Sequence, residues 1–133
     1  MCNCSCNFNC TLAAIVTSVI VGVVAAFLQV LGVITVGVTF LWVALGVGLV
    51  YLAVLVAISA ASRGADRPVC LCRTLNTLLI AVLGTILVSL VLLAVGIVAT
   101  SVLSAILVGV LLFFLWLTLT ASACYVRCVA DCA

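Results

Sequence analysis

The chain contains no lysine, no glutamate and no histidine, and only 5% of its 133 residues are charged, against roughly 25% in an ordinary soluble domain. The six charged side chains are Arg63, Arg67, Arg73, Arg127, Asp66 and Asp131. The usual donors and acceptors of acid–base catalysis are therefore nearly missing, and the sequence reads as a non-enzyme with no soluble substrate. A net charge of +2 supplies no basic stripe with interleaved aromatics, which excludes nucleic acid as a partner. Proline is almost absent as well, Pro68 being the single one. What fills the space is 71% hydrophobic residues and nine cysteines.

Thr11–Ser62 and Thr74–Val126 carry no charge at all. A helix crosses the roughly 30 Å hydrocarbon layer in about 20 residues, so each run is too long for one crossing and must fold back once. Reversals belong where glycine and small hydroxyl residues can cap one helix and open the next: Leu31-Gly32-Val33-Ile34-Thr35 and Gly96-Ile97-Val98-Ala99-Thr100-Ser101. Helices are expected over 12–31, 35–60, 75–97 and 101–124. Strands of a membrane barrel would alternate apolar and polar residues, whereas Ile86–Leu93 is apolar on every face but for Ser89. Valine and isoleucine lower helix propensity in water, but in lipid every backbone group must be bonded internally and that requirement overrides propensity. The N-terminus has neither a basic n-region nor a convincing cleavage site, so no signal peptide is expected.

The fold class is thus all-α, an integral membrane four-helix bundle made of two helical hairpins in one transmembrane domain over 1–133. A cysteine-rich arm (1–11) precedes the first hairpin (12–60), an Arg/Cys loop (61–74) joins it to the second (75–124), and a cysteine-rich tail (125–133) follows. A tandem duplication is suggested by Cys10-Thr11-Leu12 against Cys72-Arg73-Thr74-Leu75. Gly22, Gly32 and Gly46 likewise have counterparts at Gly84, Gly96 and Gly109.

Four crossings put both termini and the 61–74 loop on one side. Cys2, Cys4, Cys6, Cys10, Cys70, Cys72, Cys124, Cys128 and Cys132 then share one face with every charged residue, and the positive-inside rule assigns that face to the cytoplasm. Cys124, Cys128 and Cys132 form one stripe if the last helix continues beyond the membrane, but neighbours four apart have Cβ atoms about 5–6 Å apart where a disulfide needs about 3.8 Å. In the Cys2/Cys4/Cys6 run, extended residues two apart are about 6.6 Å apart. Bridges should therefore join different segments, tying arm and loop to tail. Nine being odd, at least one thiol is left free or pairs with a neighbouring copy.

Cys2-Asn3-Cys4-Ser5-Cys6 resembles the Cys-x-Cys repeats of metallothioneins over about ten residues. That resemblance implies a sulfur-only site for Cu(I) or Zn, with Cys2, Cys4, Cys6, Cys10, Cys70 and Cys72 as candidate ligands. Against it stands the reading in which the cysteines are cross-links or palmitoylation sites, with no cofactor. In helix count the chain also resembles membrane thiol oxidoreductases of the DsbB and vitamin K epoxide reductase kind, which implies thiol–disulfide exchange. The Cys-x-x-Cys pair of those enzymes has no counterpart here.

No ionisable residue falls inside an apolar run, so a transport pathway is not expected. Gln29, Thr17, Ser18, Thr39, Thr85, Ser89 and Ser104 should bond to helix backbones or across helices. Gly22-x3-Ala26 and Ser101-x3-Ala105-x3-Gly109 are small-residue stripes suited to close helix packing within the bundle. Trp42, Trp116 and Tyr125 should lie at membrane interfaces, and the loop arginines should meet lipid phosphates. The expected function is structural: a multi-pass protein with membrane lipid as its solvent, self-associating into a homo-oligomer or array through its cysteine face. Such a role stiffens or coats a membrane and would suit a bacterial envelope or spore layer.

Overall fold

The computed structural model describes residues 8–61, 69–95 and 102–132. They form four helices, α1 (Phe8–Val30), α2 (Val38–Ala61), α3 (Val69–Val95) and α4 (Val102–Cys132), with no strand among the described residues. Each contains a stretch long and apolar enough to span a membrane: Cys10–Val30, Val38–Ala60, Thr74–Val95 and Val102–Arg127. Helices α3 and α4 extend beyond the apolar runs that the sequence delimits, α3 starting at Val69 where 75 is expected and α4 ending at Cys132 where 124 is expected. The physical reason is that helical hydrogen bonding does not stop at the hydrocarbon boundary, whereas a search for apolar runs does. Pro68, which lacks the N–H needed inside a helix, immediately precedes α3.

The first reversal is closed by backbone alone. Gly32 has φ +70°, a left-handed conformation that glycine adopts without steric cost. The Gly32 N–H donates to the Gln29 carbonyl and the Val33 N–H to the Leu28 carbonyl, both at 3.1 Å. These are the two bonds of a Schellman cap. Helix α2 then opens at Gly37, whose carbonyl accepts from the Phe40 N–H at 3.0 Å, two residues beyond the Thr35 start expected from hydroxyl capping. The expected second reversal, Gly96–Ser101, lies outside the described residues.

The packed helix pairs are α1 with α4, α4 with α3, and α3 with α2, while α1 and α2, though consecutive, are not packed together. Phe113 and Phe114 of α4 show why α4 can serve two neighbours: Phe113 meets α1 at Gly22 and the Phe114 ring covers Gly84 of α3. All three pairs are antiparallel. From Cys10 to Gly22 to Ala26 along α1, the α4 partner falls from Cys124 to Phe113 to Gly109. Leu55 of α2 clusters with Leu78 and Val82 of α3 and Ala121 of α4, and Leu41 and Ala44 cluster with Leu92, Val108 and Leu111. The start of α1, the end of α2, the start of α3 and the end of α4 therefore share one end of the bundle.

Helix α1 is built inside out compared with a helix in a soluble protein. Its buried positions are Ala14, Ser18, Gly22, Ala25 and Gln29, while Ile15, Val19, Ile20, Val23 and Phe27 point outward. In water such a face would forfeit about 1.5–3 kcal/mol for each large side chain left exposed. In lipid there is no such penalty, and small residues on the inner face let backbones approach closely. The outward surfaces of α2, α3 and α4 are equally apolar, with Val43, Val50, Leu87, Leu90, Leu103 and Ile106 all exposed.

Candidate functional site

The site begins with two thiols that only tertiary structure brings together. Cys10 stands at the first residue of the α1 span and Cys124 near the end of the α4 span. Antiparallel packing sets them level, and they are joined by a disulfide with a Cα–Cα distance of 6.4 Å across 114 residues of sequence, inside the range disulfides tolerate. Both residues are half-buried, and Arg127 stands exposed just beyond Cys124, where a guanidinium can reach lipid phosphates. The bond fastens α1 to the helix that holds most of its packing.

Further along the same interface the two backbones nearly touch. A Cβ placed at Gly109 would lie 2.7 Å from the Ala26 Cβ and 2.8 Å from the Gly22 carbonyl oxygen; one at Gly22 would lie 2.9 Å from the Gly109 oxygen and 2.9 Å from the Phe113 Cβ. Gly22, Ala26 and Gly109 are thus brought together inside one bundle. Ala105 is buried at 3% exposure, and Ser101 lies outside the described residues. Ala14, Ala81 and Leu117, with Phe113 against them, form a core cluster nearer the disulfide. Phe113 and Leu117, not singled out from sequence, carry no signal there, being two more large apolar residues in an apolar run.

Positions 124, 128 and 132 follow at one-turn intervals along the continuous α4, and 70 and 72 fall in the first turn of α3 instead of a loop. Cys2, Cys4 and Cys6 lie outside the described residues. Cys10, a candidate metal ligand from its place in the arm, is bonded to Cys124 in the structure. Among the described residues no group of three cysteine or acidic side chains is placed to hold a metal ion.

Of the hydroxyls expected to bond to helix backbones, Thr17, Ser18 and Thr85 do so, as does Thr118. Thr17 Oγ1 donates to the Ala13 carbonyl at 2.8 Å, Ser18 Oγ to Ala14 at 2.6 Å, Thr85 Oγ1 to Ala81 at 2.9 Å and Thr118 Oγ1 to Phe114 at 2.8 Å. Gln29 and Ser89 differ: both are buried, and neither Gln29 Oε1 nor Ser89 Oγ has a hydrogen-bond partner among the described residues. A buried acceptor left without a partner costs about 1–3 kcal/mol. Gln29→Leu, of similar volume, is therefore expected to hold or raise the thermal midpoint in detergent, and a clear fall would assign the amide a bonding role. Trp42 is exposed near the start of α2, but Trp116 is exposed near the middle of the Val102–Arg127 span.

No family model, no characterised protein and no solved structure matches this chain.

Proposed function

We propose that the chain is a structural membrane protein whose apolar bundle anchors a one-sided layer of cysteines, and that copies associate side by side and are locked through that layer. The observation that carries the proposal is the Cys10–Cys124 bond. It joins the segment holding Cys2, Cys4 and Cys6 to the helix holding Cys128 and Cys132, leaving seven further cysteines. Seven cannot all pair within a chain, so a fully oxidised layer needs a bond between copies. The scarcity of ionisable and catalytic side chains supports a mechanical over a chemical role.

Four arginines on the cysteine side favour a cytoplasmic orientation for it. Structural disulfides do not persist in reducing cytosol, so locking would follow contact of that face with an oxidising milieu, as in an envelope or spore layer, where each new bond passes two electrons to a compartment oxidant such as dioxygen. Membranes solubilised with thiols blocked are expected to give a ladder of multimers on non-reducing gels that collapses to monomer on reduction. Monomer under both conditions overturns the proposal.

A further inference from the structure

We infer that α1 is an exchangeable element: it can leave its own α4 and dock on the α4 of a second copy, so that the Cys10–Cys124 bond joins two chains. This rests on the proposed self-association and names the surface and the cysteine pair through which it operates. Three features carry it. First, α1 packs on α4 and not on its sequence neighbour α2, so apart from the meeting of Ala14 with Ala81 of α3 removing it breaks one interface. Second, that interface has a definite shape, the Gly22–Gly109 approach flanked by Ala26, Phe113 and Ala14. An empty α4 seat is therefore complementary to α1 of any copy. Third, the link from Val30 to Val38 turns only through the Gly32 cap. Its length allows a reach of up to about 28 Å when extended, from roughly 3.3–3.6 Å per residue, or about three helix-to-helix spacings of roughly 8–10 Å. Exchange of an identical element is a low-cost route to dimers because the same contacts re-form between copies.

The sulfur chemistry balances without an external oxidant. A thiolate, from one of the other seven cysteines or a small thiol, attacks Cys124 Sγ, forms a mixed disulfide there and expels Cys10 as a thiolate. Cys10 of a second copy, released in the same way, attacks that mixed disulfide at Cys124 Sγ and regenerates the initiating thiolate. Two bonds within copies become two between copies.

The test uses the full chain with Cys2, Cys4, Cys6, Cys70, Cys72, Cys128 and Cys132 all replaced by serine, alongside two derivatives that additionally carry Cys10→Ser or Cys124→Ser. Each is reconstituted in phosphatidylcholine vesicles, reduced, and reoxidised in a glutathione buffer. The two-cysteine parent is expected to oxidise to a mixture of closed monomer and dimer. The derivatives, unable to close alone, are expected to yield disulfide-linked dimer in a one-to-one mixture at a level several-fold above either by itself. A mixture that stays monomeric while the parent closes as monomer overturns the exchange, as does a parent that forms no bond. If the unmodified chain still gives a multimer ladder, self-association stands and only the exchange falls; if it gives none, the broader reading falls with it.

Discussion

Replacing Gly109 with leucine is expected to detach α1 from α4. Alanine alone would set a methyl group 2.7 Å from the Ala26 Cβ and 2.8 Å from the Gly22 carbonyl, distances that real Cβ atoms do not show, and one neighbour is backbone that cannot swing away. Overpacking of this kind costs about 1–3 kcal/mol, and a leucine cannot fit without parting the helices along their length. The thermal midpoint in detergent should fall for Gly109→Ala and fall further for Gly109→Leu, with loss of Cys10–Cys124 closure in the two-cysteine background. Two comparisons make the result specific. Gly84→Ala meets only ring atoms of Phe114, which can rotate, so its loss should be smaller. Gly46→Ala meets nothing within 4 Å and should cause no loss, since alanine is the better helix former. Equal falls at positions 46 and 109 would show that the close approach is not what holds α1.

The second large effect concerns the clasp itself. Cys10→Ser in the two-cysteine background is expected to lower stability by about 2–4 kcal/mol, the usual range for a disulfide closing a long loop. Reduction of the parent should match it. The loss should sit on α1: amide exchange in residues 11–30 should rise more than in α3, which keeps α2 and α4 as neighbours. Uniform acceleration across all four helices, or none, would contradict a clasp that secures one helix. Combined with Gly109→Ala, the effects should fall short of their sum, because a helix already parted from α4 has no clasp left to lose.

Much of this was legible in the residue pattern because lipid imposes few rules and strict ones. Two long uncharged runs require an even number of helical crossings, and Gly32 marks a cap that helix geometry then builds. Gly22, Ala26 and Gly109 could be recognised as packing residues because small side chains are what let backbones meet. Helix ends were less legible. Cys70 and Cys72 fall in α3 and Cys128 and Cys132 in α4, since hydropathy reports where lipid stops and not where the helix stops.

By itself, the order of amino acids determined a helical chain with four stretches long and apolar enough to cross a membrane, because charge and apolar run length are properties of linear stretches. It did not determine which helices touch. A helix apolar on all sides has no face that declares its partner, and lipid is as good a neighbour as another helix. Only the tertiary structure decided that α1 rests on α4 instead of α2, and with that choice that Cys10 meets Cys124. Pairing across 114 residues depends on the fit of backbones at Gly22 and Gly109, a matter of shape that no local pattern encodes.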